Sequence, residues 1–224
     1  MKKIALIVAG GSGSRMKYSV PKQFIELQGI PLLFHTFMAF HRNDPAFEFI
    51  LVLPDKEIVT WERLCRKHQF SIDHKITSGG ITRFHSVKNG LDLIKEEGIV
   101  FIHDGVRPLV SSQTIEKCYQ MAKNKGNAVP VIPPSESVRE VSNGKNQAVD
   151  RNKYYLVQTP QTFLVSQIKQ AYQQDYRENF TDDASVIENS GTEIFLVTGN
   201  RENIKITWPE DLFLAEVLIE IEHN

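Results

Sequence analysis

The sequence predicts an α/β protein on three observations. Short apolar, β-branched runs recur along the chain, segments of helical periodicity separate them, and the runs themselves do not alternate polar with apolar residues. Strands that dispense with alternation are covered on both faces, so the expected architecture is a doubly wound, mostly parallel sheet flanked by helices, Rossmann-like in outline.

The opening run, KIALIVA (3–9), is continuously apolar after Lys3 and predicts the first strand. FEFILVL (47–53), IVFIH (99–103) and NAVPVI (127–132) have the same character, and EIFLVT (193–198) predicts a later strand. Over 82–94, Phe84, Val87, Leu91 and Ile94 fall on one face of a helix, and Ile115, Cys118 and Ala122 do the same over 112–123. The closing stretch WPEDLFLAEVLIEIE (208–222) puts Pro209, Glu210 and Asp211 in a first helical turn. Proline sacrifices no hydrogen bond there, and acids meet the positive end of the helix dipole.

One stretch breaks the pattern. PPSESVREVSNGKNQAVDR (133–151) has few apolar residues and Asn143-Gly144 at its centre. Asn-Gly between extended segments signals a hairpin, because a type I′ turn needs positive φ at both positions. A two-stranded ribbon this polar cannot stabilise itself. It is either a surface hairpin lying on its own sheet or an arm, over 134–152, that reaches a second subunit. The size of the chain otherwise favours a single domain over 1–224.

Composition excludes several partners. The formal net charge is −1, so no global field draws the protein to nucleic acid or to an anionic membrane, and any anion site must be a local cluster of cations. Cys65 and Cys118 stand in no metal or redox spacing and are expected to be reduced, as in a cytoplasmic protein. The apolar run 4–9 is too short for the core of a signal peptide, and no stretch is long enough to span a bilayer.

In a doubly wound sheet ligands gather at the carboxyl ends of the strands. After the first strand comes Gly10-Gly11-Ser12-Gly13-Ser14-Arg15, followed by Lys22. Glycines allow successive N–H groups to turn inward as an anion nest, or they make a plain tight turn; the nearby cations favour a polyphosphate. No Gly-Lys-Ser/Thr follows, and Met16 stands where a dinucleotide fingerprint needs its third glycine. After the strand at 99–103 comes HDGVRP, where Asp104 reads either as a Mg²⁺ ligand beside substrate phosphates or as a turn residue capping Gly105. SGGITRFHS (78–86) reads as a helix entry capped by Thr82, and TDDAS (181–185) as another capped helix start. His103 reads as structural, and no nucleophile–base pair is evident.

Together these pieces resemble the sugar- and polyol-phosphate nucleotidylyltransferases, and among them the 2-C-methyl-D-erythritol 4-phosphate cytidylyltransferases. AGGSGSRM…PKQF, HDGVRP, VDR…QTPQTF (149–163), TDDAS and NIKITWPEDL (203–212) match that family's motifs in order along nearly the whole chain. The resemblance implies CTP, a polyol phosphate and Mg²⁺ or another divalent cation as ligands. It implies that Ala9, Gly10, Gly11, Ser12 and Gly13 wrap the nucleotide, that Arg15 and Lys22 hold its phosphates, and that Gly80 and Ser86 lie at cytosine and ribose. Asp104 is then the metal ligand, supported by Arg107. Arg151 and Lys205 hold the phosphate of the second substrate, with Ser137, Thr159 and Arg107 nearby. The resemblance also implies a homodimer in which Ser137 and Arg151 serve the neighbouring site.

Some positions depart from the family pattern. Lys17 and Gly105 stand where glycine and alanine are usual, Glu136-Ser137-Val138-Arg139 replaces Asp-Thr-Ile-Lys with the chemical types kept, and Ile81 stands where an acid is frequent. Ribitol-5-phosphate cytidylyltransferase is the nearest alternative; Val149-Asp150-Arg151 ahead of Thr159-Pro160-Gln161 follows the methylerythritol pattern. A dinucleotide-dependent oxidoreductase lacks its third glycine here, and a non-catalytic nucleotide-binding regulatory module would not need Arg15, Lys22 and Asp104 together.

Overall fold

Continuous apolar runs become the buried centre of one sheet. The protein, a computed structural model describing residues 1–11 and 20–223, has strands β1 (Lys2–Val8), β2 (Glu26–Leu27), β3 (Ile30–Pro31), β4 (Glu48–Leu53), β5 (His74–Ser78), β6 (Gly98–Asp104), β7 (Asn127–Ile132), β8 (Arg139–Ser142), β9 (Lys145–Ala148), β10 (Leu156–Val157), β11 (Gln161–Leu164) and β12 (Leu196–Thr198). Its helices are α1 (Leu32–Asn43), α2 (Ile58–Lys67), α3 (Arg83–Asp92), α4 (Ser112–Lys125), α5 (Val165–Ala171), α6 (Asp183–Glu188) and α7 (Pro209–His223).

β1 lies between β6 and β4, parallel to both, and β5 continues the sheet beyond β4. Beyond β6 the sheet turns mixed: β11 runs antiparallel to β6 and β7, while β12 pairs with β7 in parallel. Successive residues of the central strands point to opposite faces. Ala5, Ile7, Leu51 and Phe101 pack with α1, α2 and α4, where Phe34, Phe37, Phe40 and Trp61 form an aromatic cluster. Leu6, Val52, Val100 and Ile102 pack under α3, α5 and α6. The expected doubly wound layering is therefore present.

The strands at 127–132 and 99–103 fall where the sequence predicts them, but the predicted strand at 193–198 shortens to β12. The Asn127 side chain explains the loss: its Nδ2 donates to Glu193 O and its Oδ1 accepts from Phe195 N, both at 2.9 Å, so the ladder starts only at Leu196. Thr82 caps α3 by accepting from His85 N, and Asp182 caps α6 in a reciprocal box with Ser185. Both caps follow the sequence expectation.

β10 and β11 lie along β7 as one interrupted strand. Residues 158–161 oppose only 129 and 130, between the pairs Val157–Val131 and Thr162–Ala128. This bulge, which contains the cis peptide Thr159–Pro160, carries Thr159 to the end of β6. The hairpin β8–β9 turns at Asn143 and Gly144, with φ of 49° and 76°, and all of its strand residues are exposed.

Candidate active site

The carboxyl ends of β1, β4 and β6 open into a cleft of about 400 Å³. Each strand hands its backbone across to the next at this edge: Ala9 N donates to Val52 O, Gly79 N to Leu53 O and Gly105 N to Val8 O. The cleft walls are thus the first residues beyond the ladder, as the topology of such sheets requires.

Gly10 and Gly11 form the described part of the glycine loop and line the cleft. Ser12, Gly13 and Arg15 lie outside the described residues. Across from the loop, Gly80 N donates to Ser86 Oγ at 3.0 Å, and Ser86 Oγ donates to Thr82 O at 3.0 Å. That hydroxyl folds the 79–82 turn back over the first turn of α3. No side chain larger than glycine fits at position 80, where a Cβ would stand 2.3 Å from His85 Cβ.

Asp104 ends β6 at the floor of the cleft. Its Oδ2 lies 3.1 Å from both Lys205 Nζ and Arg107 Nε, while its Oδ1 faces Arg83 Nε at 3.9 Å. Burial by itself would push this carboxyl up, but Lys205, Arg83 and Arg107 outweigh it and hold Asp104 well below the usual carboxylate range.

Lys205 arrives on a strap from the far end of the chain, and a dense set of bonds fixes that strap. Arg107 Nη1 donates to Asn203 O at 2.8 Å, buried Asn203 donates from Nδ2 to Thr159 O at 2.8 Å, and Ile206 N donates to Val106 O at 3.0 Å. Lys22 Nζ donates to Ile206 O at 3.4 Å, which brings the end of the glycine-loop segment against the same strap. Among the described lining residues, Lys22, Arg83 and Lys205 are cations and Asp104 is the acid. A cleft with that balance suits a polyanion.

His103 and Thr159 sit behind Asp104. Thr159 Oγ1 accepts from Asp104 N at 3.1 Å and donates to His103 Nδ1 at 3.0 Å, and His103 Nε2 donates to Arg107 O at 2.9 Å. A carbonyl can only accept, so the ring carries its proton on Nε2. Burial holds the imidazole down at about 4, hence neutral. Thr159 and Arg107, both expected at the second substrate, here brace Asp104 and its strap.

Arg83 is the residue that sequence reasoning missed. Its two terminal nitrogens donate to Asp183 Oδ1 and Oδ2 at 2.7 and 2.6 Å, and Tyr172 Oη donates to the same Oδ1 at 2.6 Å. Asp183, in the TDDAS motif, is fully buried. The signal available was a cation opening a helix just past a strand end, which alone reads as surface. Ser137 and Arg151 do not reach this cleft within one chain: both are exposed beside the hairpin, and Arg151 Nη1 donates to Ser135 O.

Among the described residues no group of three or more His, Cys, Asp or Glu side chains could enclose a metal ion. The donor set still fits a hard cation that takes one carboxylate and completes its shell with phosphate oxygens and water, because Asp104 lines the cleft and its Oδ1 has only the longer, 3.9 Å ion pair to Arg83 among the described residues. Cys65 and Cys118 are free thiols pushed up by burial to about 11 and about 12, which leaves them unreactive.

This fold and motif order recur in known proteins. The family model described as 2-C-methyl-D-erythritol 4-phosphate cytidylyltransferase matches residues 3–221. Proteins of that name from Phocaeicola vulgatus and Bacteroides fragilis are 51% and 50% identical to it, over 98% of this chain and all of theirs. A crystal structure of 4-diphosphocytidyl-2C-methyl-D-erythritol synthase from Anaerococcus prevotii superposes with a TM-score of 0.82 at 26% identity, covering 98% of this chain and 96% of that one. The Thermus thermophilus 2-C-methyl-D-erythritol 4-phosphate cytidylyltransferase superposes with 0.79 at 29% identity, covering 98% and 100%. With a family model that matches residues 3–221 and relatives about half identical over 98% of its length, the chain belongs to the 2-C-methyl-D-erythritol 4-phosphate cytidylyltransferase family.

Proposed function

We propose that the protein transfers the cytidylyl group of CTP to 2-C-methyl-D-erythritol 4-phosphate, releasing pyrophosphate and forming 4-diphosphocytidyl-2-C-methyl-D-erythritol. A phosphate oxygen of the acceptor attacks the α-phosphorus in line, the bond from that phosphorus to the bridging oxygen breaks, and pyrophosphate leaves with the electron pair. The carrying observation is the cleft itself, where among the described residues Lys22, Arg83 and Lys205 line the same space as one carboxylate, Asp104, and no nucleophile is needed. Such transfer depends on positioning and on cations where charge accumulates.

In this reading Gly10, Gly11 and the turn at Gly80 seat the nucleotide, while Lys22, with Arg15 from the adjoining segment, neutralises charge gathering at the α-phosphate. Lys205 stands between Asp104 and the incoming phosphate. Asp104 would hold the divalent cation, which when bound supplies neutralising charge between phosphate oxygens.

The active form is a homodimer in which the 134–152 arm carries Ser137 and Arg151 to the neighbour's acceptor phosphate. What supports this is that β8 and β9 pair only with each other, outside the main sheet, with Tyr154, Tyr155, Leu156 and Val157 exposed close by. A two-stranded ribbon needs a further surface to be stable.

Incubation with CTP, Mg²⁺ and either 2-C-methyl-D-erythritol 4-phosphate or ribitol 5-phosphate tests the reaction by pyrophosphate release. Release with the first is expected. Release with the second alone, or with neither, overturns the assignment.

A further inference from the structure

The pair of half-buried Arg83 and buried Asp183 has no place in the transfer chemistry described so far, although it joins the TDDAS motif to the cleft. Burying two charges is unfavourable unless geometry and extra hydrogen bonds offset the loss of water. Here the fork is bidentate at 2.6 and 2.7 Å, and Tyr172, itself buried, adds a third donor to the same carboxylate. Asp183 also stands as the first residue of α6, where the helix dipole favours a negative charge. The network therefore spans α3, α5 and α6, the layer that covers one face of the sheet.

This geometry settles what Arg83 is able to do. One N–H of each terminal nitrogen is given to Asp183, so the fork is anchored on that carboxylate. The nitrogen left over, Nε, faces Asp104 Oδ1 at 3.9 Å. On the opposite side of the same carboxylate, Oδ2 is held by Lys205 and Arg107. The carboxylate is thus bracketed by cations at both oxygens, and among the described residues the ion pair to Oδ1 is made by Arg83.

We propose that Arg83 is a positioning residue for the cytidylyl transfer: anchored by Asp183, which Tyr172 holds in turn, it orients the Asp104 carboxylate from its Oδ1 side. The inference rests on the transfer reading given above. It assigns Tyr172 and Asp183 a part in the reaction although neither lines the cleft, because they decide whether the Arg83 side chain stays in place.

The test is a double-mutant cycle on kcat, read by pyrophosphate release from the full-length protein with saturating CTP, Mg²⁺ and 2-C-methyl-D-erythritol 4-phosphate. Arg83→Gln is expected to lower kcat by ~10- to 100-fold, the usual cost of losing a group that orients a ligating side chain, with KM for CTP changed less than about threefold. Tyr172→Phe removes one hydroxyl and keeps the ring packing, and is expected to lower kcat by about three- to tenfold. The double variant should be no slower than Arg83→Gln alone, because both changes act through one side chain. Arg83→Lys should fall between, keeping charge but losing the fork.

Additive losses in the double variant would overturn the proposal, as would an Arg83→Gln enzyme with a raised KM for CTP and unchanged kcat, which would make Arg83 a nucleotide ligand. Should Arg83→Gln fail to fold, the Tyr172→Phe enzyme decides: unchanged kcat overturns the proposal, and reduced kcat at unchanged KM supports it. If the wild-type protein releases no pyrophosphate, the transfer reading falls and this proposal with it; a wild-type rate retained by Arg83→Gln overturns this proposal alone.

Discussion

Lys205 Nζ and Asp104 Oδ2 stand 3.1 Å apart, an ion pair between the end of the central strand and a strap near the other end of the chain. Arg107 joins the same oxygen from three residues along, and together these cations hold the cleft carboxylate ionised. The pair decides how the phosphates can be met, since the acid sits on the floor and the cations surround it.

Lys22→Ala should reduce kcat by ~10²-fold, the cost of removing one preorganised contact to charge that develops in the transition state. Steady-state kinetics with a raised KM for CTP and an unchanged kcat would show that Lys22 only binds the ground state.

Gly80→Ala places a methyl group 2.3 Å from His85 Cβ, which is backbone-proximal and cannot swing away. The 79–82 turn must open, and its bond from Gly80 N to Ser86 Oγ should break. Calorimetry is expected to show CTP affinity down by ~10-fold or more, in line with a misplacement of about 1 Å at a binding wall. Unchanged affinity would place the nucleotide elsewhere.

His103 makes stability depend on pH. Its folded value, about 4, lies below the ~6.5 of an unfolded histidine. Between the two the unfolded chain binds the extra proton, so the contribution is complete above pH ~6.5, shrinks as pH falls, and is gone near pH 4. The loss should be on the order of 3 kcal/mol. Urea titration of the metal-free protein at pH 7 and pH 4.5 checks it. His103→Gln should show a smaller difference between the two pH values, and a difference equal to wild type would remove His103 as the cause.

Arg151→Ala should impair use of the polyol phosphate while CTP binding, measured calorimetrically, persists. If the arm serves the neighbouring site, mixing Arg151→Ala with Lys22→Ala and allowing subunit exchange should restore about a quarter of wild-type activity, since half the dimers are mixed and each has one intact site. No recovery after exchange would place Arg151 in its own chain's site.

Much of this architecture is legible in sequence because the sheet's centre is buried on both faces. β1, β4 and β6 need unbroken apolar runs and display them. The hairpin announces itself at Asn143-Gly144 because left-handed φ restricts the residues allowed there. Caps are local, so Thr82 and a capped helix start in TDDAS were readable too, although the structure gives the cap itself to Asp182. Pairings made by folding were not. Asp183 reads as a dipole residue at a helix start, and nothing in TDDAS says that its carboxylate meets an arginine 100 residues earlier. α1 was also hidden: Pro31 precedes it with no side-chain cap, and its aromatic run faces a cluster assembled from α2 and β4. Thr159 was placed at the second substrate by resemblance, while its bonds run to Asp104 and His103; Arg107, placed by resemblance both there and in support of Asp104, bonds Asp104 and Asn203.

The strap that delivers Lys205 has a consequence for biosynthesis. Asp104 leaves the ribosome before β11, which covers the open edge of β6, and longer still before Lys205. Until that late segment emerges, the nascent chain carries an acid meant for burial without its strongest counter-charge and a central strand with one unpaired side. The amino-terminal half can collapse but cannot complete its sheet, so the last steps of folding wait for the strap to emerge. A chain cut short before the strap should be a substrate for chaperones and proteases rather than a partial enzyme, which couples the quality of the site to completion of the polypeptide.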